Sequence, residues 1–139
     1  MSEAKAHHTG ITVSDLGRAI EFYTGLLDCT IEARFSVTGE ALETAVDADG
    51  VTGSFAHLDS HGTRIELVEY EPAEDSRPKA SLTQPGATHL AFSVDDVDAF
   101  VDDLPDEIAR LSDPQTTESG TRIVFTRDPD GNLVEFLEA

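Results

Sequence analysis

Apolar residues recur at every second position at Ile11 and Val13, and again at Leu90, Phe92 and Val94. This is the period of a strand with one face in a core. After the first run, Leu16, Ala19, Ile20, Tyr23 and Leu27 follow helical spacing, which predicts a helix from a cap at Ser14 or Asp15 through roughly Leu27. Three strands are expected next, near Thr30–Val37, Gly53–Leu58 and Arg64–Glu71, the last two joined by a turn over Asp59–Thr63. The second run leads into a shorter helix capped by Asp95 or Asp96, with Val97, Phe100, Val101 and Leu104 inward and Pro105 at or just past its end. A hairpin closes the chain, from Arg122–Thr126 through the turn residues Asp128 to Asn132 into Leu133–Glu138.

The two halves repeat one another. HTGITVSDL, opening at His8, aligns with HLAFSVDDV, opening at His89, and GTRIELVE aligns with GNLVEFLE. The second alignment sets Glu66 against Glu135 and Glu69 against Glu138. A duplicated unit of strand, helix and three strands follows, an α+β architecture of two tandem βαβββ modules over residues 7–71 and 88–139 of a single domain spanning 1–139. Residues 72–87 hold three prolines and little periodicity, and are expected to be a linker or a mobile flap. The glutamate follows its histidine by 58 residues in the first copy, 8 to 66, and by 46 in the second, 89 to 135, so the first copy should carry about a dozen extra residues near Gly39–Gly53. GTRI also recurs from Gly120, but there Val124 stands where a glutamate would be.

Strand alternation sorts the side chains by face. Ile11, Val13, Leu90, Phe92, Val94, Ile65, Leu67, Val134 and Phe136 belong under the helices. His8, Gly10, Thr12, His89, Ala91 and Ser93, with Glu66 and Glu135, belong on the opposite face, where Gly10 and Ala91 leave room for a ligand. Two imidazoles and two carboxylates suit zinc, nickel, cobalt, manganese or ferrous iron better than calcium or magnesium. His8, Glu66, His89 and Glu135 are therefore the candidate ligands of one divalent metal. His7 is one residue out of phase, His57 has no counterpart in the second copy and His61 lies in a turn, so these three are expected to be structural or exposed.

Composition narrows the partners. With 28 Asp and Glu against 9 Lys and Arg, the formal net charge is −19, which repels phosphate backbones and anionic headgroups and disfavours nucleic acid and membrane partners. No signal-peptide core or membrane-length apolar run is present, and the one cysteine, Cys29, is expected to be a small strand residue, so a cytoplasmic protein is expected. Self-repulsion at this charge is screened by salt, which points to a salt-adapted, halophilic host. The melting temperature should accordingly rise as potassium chloride goes from dilute buffer to the molar range. A flat or falling melting temperature rejects salt adaptation.

HHTGITVSDLGRAIEFYTGLL, RIELVE, HLAFSVDDV and RDPDGNLVEFLE together resemble the vicinal oxygen chelate superfamily, which includes glyoxalase I, methylmalonyl-CoA epimerase, extradiol dioxygenases, fosfomycin-resistance transferases and bleomycin-binding proteins. The resemblance spans nearly the whole chain and implies a curved, cup-like mixed sheet with helices on its outer face, a small-molecule substrate and a homodimer. His8, Glu66, His89 and Glu135 fall on the ligand positions of glyoxalase I. The implied activity is that of a metal-dependent isomerase or lyase, in which proton transfer passes through a metal-stabilised enediolate on a substrate such as a hemithioacetal. Glu135 is the candidate base and Glu66 its alternate. Glutathione-using members carry an arginine four residues after the first histidine and an asparagine four after the first glutamate. Thr12 and Tyr70 stand there instead, which argues against glutathione as the thiol. The alternatives are an extradiol-type dioxygenase on His8, His89 and Glu135, an epimerase like that of methylmalonyl-CoA, and a non-catalytic antibiotic-binding protein.

Overall fold

The computed structural model describes residues 3–138. The chain divides into two compact units, the first ending at Ser76 and the second beginning at Arg77. Each is α+β and built as βαβββ.

In the first unit β1 (Thr9–Thr12) is followed by α1 (Leu16–Glu21), β2 (Thr30–Val37), α2 (Glu40–Ala45), β3 (Thr52–Ser60) and β4 (Thr63–Glu71). The sheet order is β1-β4-β3-β2, with β1 parallel to β4 and the other neighbours antiparallel. Asp15 caps α1 by accepting from the Arg18 amide, as expected of an acidic N-cap. The helix does not run evenly to Leu27. It passes into a π-helical turn over Phe22–Leu26, whose wider spacing buries Phe22 as well as Tyr23. Leu16, Ala19, Ile20, Tyr23 and Leu27 are buried as their spacing predicted, against Ala56, Leu58, Ile65 and Leu67 of the sheet. The extra residues of the first copy form α2 and its flanking loops, between Val37 and Thr52. Cys29 is buried immediately before β2, and burial pushes its thiol pKa up, so it is a packing residue and a poor nucleophile.

The β3–β4 hairpin turns at His61 and Gly62, both with left-handed φ (49° and 94°), the signature of a tight two-residue turn. His61 is thus a turn residue, as its position suggested. The turn fixes the register Ser60↔Thr63 and, three steps back on each strand, His57↔Glu66.

In the second unit β5 (His89–Ser93), α3 (Val97–Asp102), β6 (Gln115–Thr116), β7 (Arg122–Arg127) and β8 (Leu133–Glu138) form a sheet of order β5-β8-β7-β6. The cap is Asp96, which accepts from the Ala99 amide, and α3 ends before Pro105. Val97 and Val101 are buried, while Phe100 and Leu104 are half-buried, with Phe100 packed on Phe136 at a ring-centroid distance of 4.5 Å. The sequence pattern did not place β6, because two residues are too short to show alternation. Asp128 builds the β7–β8 turn, its carboxylate accepting from the amides of Asp130 and Asn132 and from the Asn132 side chain. Residues 72–88 contain no helix or strand. Part of that stretch lies against the hairpin, where Arg127 donates to the carbonyls of Gly131 and Ala80. A Cβ on Gly131 would stand 3.2 Å from Lys79 Cγ.

The second repeated glutamate pair has a structural task. Glu69 Oε1 accepts from the Leu16 amide at 2.7 Å, and Glu138 Oε1 from the Val97 amide at 2.9 Å. In each unit the last strand thus satisfies an orphan N–H at the first turn of the helix and sets a negative charge at its positive end. Alanine at either position should cost about 1 kcal/mol, as for loss of a helix cap. The expected melting temperature falls by a few degrees with metal binding unchanged, and an unchanged melting temperature rejects this capping role.

Candidate functional site

His8 immediately precedes β1, whose next residue, Gly10, lies opposite Glu66 on β4. A side chain two residues along a strand returns to the same face, so His8 and Glu66 meet. His8 Nε2 lies 3.5 Å from Glu66 Oε2. In the second unit His89 opens β5 and Ala91 lies opposite Glu135 on β8, which places His89 Nε2 3.3 Å from Glu135 Oε1. Each unit therefore joins one predicted histidine to one predicted glutamate. Both glutamates are largely covered, with side-chain exposures of 15% and 14%, while the histidines are more open. A Cβ at Gly10 would reach ordinary contact with Glu66 Oε1 at 3.7 Å and His8 Cδ2 at 3.9 Å, so glycine leaves the space between them clear.

His57, expected to be structural or exposed, is half-buried beside Glu66. It is the direct partner of Glu66 across the β3–β4 hairpin, and its Nε2 lies 2.8 Å from Glu66 Oε2. Its ring is 5.5 Å from that of His8. His7 likewise belongs to the cluster. Its Nδ1 is 2.8 Å from His8 Nδ1, and Arg64 Nη1 donates to its Nε2 at 3.0 Å. Arg64 can only donate, so the His7 proton sits on Nδ1 and points at His8. For His8 to bind a metal through Nε2 its own proton must sit on Nδ1, and His7 must then turn to accept it.

The register-equivalent of His57 in the second unit is Phe125, opposite Glu135. Its ring packs edge-on against His89 at 5.2 Å. On the same face of the first unit Phe35 stacks on Phe55 at 5.2 Å, Tyr70 meets Phe55 edge-on at 6.2 Å, and Phe35 meets His57 edge-on at 5.1 Å. Sequence reasoning passed over these rings. The two-residue turn at His61–Gly62 was the signal that could have placed His57, since it fixes the register back along both strands.

The donor set fits a borderline divalent metal. Imidazole nitrogens and carboxylate oxygens at bond lengths of about 2.0–2.2 Å stand roughly 3.0–3.4 Å apart around an ion. The separations of 2.8, 3.3 and 3.5 Å bracket that range. A second acidic group, Asp96, Asp98 and Glu138, is occupied otherwise: Asp96 and Glu138 cap α3, and Asp98 pairs with Arg122 at 2.6 Å. The Arg122 guanidinium lowers the Asp98 carboxyl pKa.

Residues 5–136 match the family described as Glyoxalase/Bleomycin resistance protein/Dioxygenase superfamily. The chain is 31% identical over 138 residues to the uncharacterized protein YaeR of Escherichia coli, covering 96% of this chain and 95% of that one. It is 28% identical over 141 residues to a 2-epi-5-epi-valiolone epimerase of Actinomyces, covering 94% and 77%. The crystal structure of a glyoxalase family protein from Bacillus cereus superposes with a TM-score of 0.87 over 99% of this chain and 95% of that one at 22% identity, a likeness of fold. The chain belongs to the glyoxalase, bleomycin resistance protein and dioxygenase superfamily.

Proposed function

We propose that the protein is a divalent-metal-dependent isomerase or lyase of glyoxalase I type, moving a proton between adjacent carbons of a small oxygenated substrate such as a hemithioacetal. His8 and Glu66 of the first unit and His89 and Glu135 of the second are the metal-holding residues. The observation that carries this reading is the recurrence, in both units and at equivalent strand positions, of a histidine facing a glutamate at 3.5 and 3.3 Å. The Actinomyces relative, an epimerase by name, supports proton-transfer chemistry.

A bound zinc, nickel, cobalt, manganese or iron ion would supply a Lewis acid that lowers the barrier to removing a proton beside a carbonyl. Glu135 is the proposed base and Glu66 the alternate. Phe125, packed edge-on against His89, helps to hold that imidazole beside Glu135. Phe35, Phe55 and Tyr70 offer an apolar flank to a substrate on the first unit. Thr12 and Tyr70 leave that face without the polar groups that a glutathione-using member has, so a thiol less polar than glutathione is preferred. A homodimer in the cytoplasm is the assembly and location expected of it, and light scattering on the purified protein tests the first. Among the described residues no helix is long and apolar enough to cross a membrane.

A second reading, a non-haem iron dioxygenase, draws on the pairing of two histidines with one carboxylate in the first unit. The two separate in one experiment. Methylglyoxal with a panel of thiols is assayed anaerobically with zinc, nickel or cobalt, beside an oxygen electrode trace with catechols and ferrous iron. Hemithioacetal turnover without oxygen supports the isomerase. Oxygen uptake with catechols that depends on ferrous iron and is lost in Glu66→Gln overturns it.

A further inference from the structure

We propose that His57 is a metal ligand, so that the first unit brings three donors, His8, His57 and Glu66, to the metal. This deepens the functional reading above and rests on its assignment of His8 and Glu66 as metal-holding residues. The duplication isolates the feature. At the strand position opposite the glutamate the second unit has the phenyl ring of Phe125, and the first has an imidazole. A phenyl ring packs as well as an imidazole at such a place but offers no donor atom, so the exchange leaves two donors in the second unit and three in the first.

The geometry suits coordination. One donor atom from each of His8, His57 and Glu66 can be chosen so that all lie within 4.8 Å of one another. Glu66 Oε2 is common to both imidazole contacts, at 2.8 Å to His57 and 3.5 Å to His8. Three donors converging from adjacent strands resemble one face of a tetrahedral or octahedral shell, leaving positions open for further ligands. His57 is also held firmly enough to serve. Its side chain is 16% exposed, its backbone is locked in the middle of β3, and Phe35 packs edge-on against its ring. A rigid donor binds metal with little loss of side-chain freedom.

The alternative is that His57 only hydrogen-bonds Glu66 and orients it. Cobalt(II) titration of the chelator-stripped full chain separates the two, followed by visible d–d absorption and by competition with a chromophoric chelator. The parent should bind cobalt stoichiometrically. His57→Ala and His57→Gln should each weaken binding by more than about a hundredfold, beyond the roughly ten- to hundredfold loss typical of partners outside the ligand shell, and should change the visible spectrum. Glutamine keeps a donor for Glu66, so parent-like affinity and spectrum in His57→Gln overturn the proposal, as does a parent-like His57→Ala. Thermal melts identify a variant that fails to fold, and the other substitution then carries the comparison. If the parent binds no cobalt, the metal-dependent function and this inference fall together. If His57→Ala loses binding while His89→Ala keeps it, the three-donor site stands and the four-residue assignment fails.

Discussion

Alanine in place of Glu66 is expected to abolish stoichiometric metal binding, with a loss of at least about a hundredfold in affinity, equivalent to roughly 2.7 kcal/mol. Glu66 is the anionic member of its cluster, and one of its oxygens is shared between His8 and His57. Removing it takes away a negative charge and a donor atom together. It also leaves two imidazoles facing each other with no carboxylate between them, which disfavours bringing a cation to them. Zinc or cobalt affinity by chelator competition measures the effect. Alanine at His8, His89 or Glu135 should also lose stoichiometric binding, and His61→Ala, in the β3–β4 turn, should bind as the parent does. A Glu66→Ala protein that folds and binds as tightly as the parent rejects the site. The Glu69→Ala variant is the internal control: it too removes a carboxylate from β4, but from the opposite face, where the carboxylate caps α1.

Much of this arrangement is legible in the sequence because strands and helices carry different periods. The alternation that put Ile65 and Leu67 under the helix also put Glu66 on the other face, and the repeat carried the same assignment to Glu135. The Glu-x-x-Glu pattern in both copies is explained by the same alternation: residues three apart point to opposite faces, so one carboxylate faces the histidine and the other caps the helix. Three features were less legible. The π-helical turn at Phe22–Leu26 breaks the regular helical period, so Phe22 was absent from the predicted buried stripe. The two-residue β6 is too short for any periodic signal. His57 has no histidine counterpart in the second copy, so the repeat does not mark it, although its strand register brings it against Glu66. Its true counterpart is Phe125, and a comparison of like residues cannot match a histidine to a phenylalanine.

Glutamine at Glu135 should reduce turnover by about a hundred- to a thousandfold, within the range that a positioned acid–base group contributes. The amide is nearly isosteric and can still donate to or accept from His89, so packing on β8 should be preserved and the melting temperature should move little. What the substitution removes is the negative charge and the capacity to take a proton. Thr12→Ala, on the same face as His8 and Gly10 but without a titratable group, should change turnover only a fewfold. Metal content measured on the same preparations divides the effect. If Glu135→Gln still holds metal but has lost turnover, Glu135 is the base. If metal and turnover fall together, its ligand role dominates and Glu66 becomes the base to test by the same substitution. Oxygen should make no difference to any of these rates. A Glu135→Gln protein that isomerises hemithioacetals at the parent's rate would remove Glu135 from the chemistry and with it the proposed division of roles between the two glutamates.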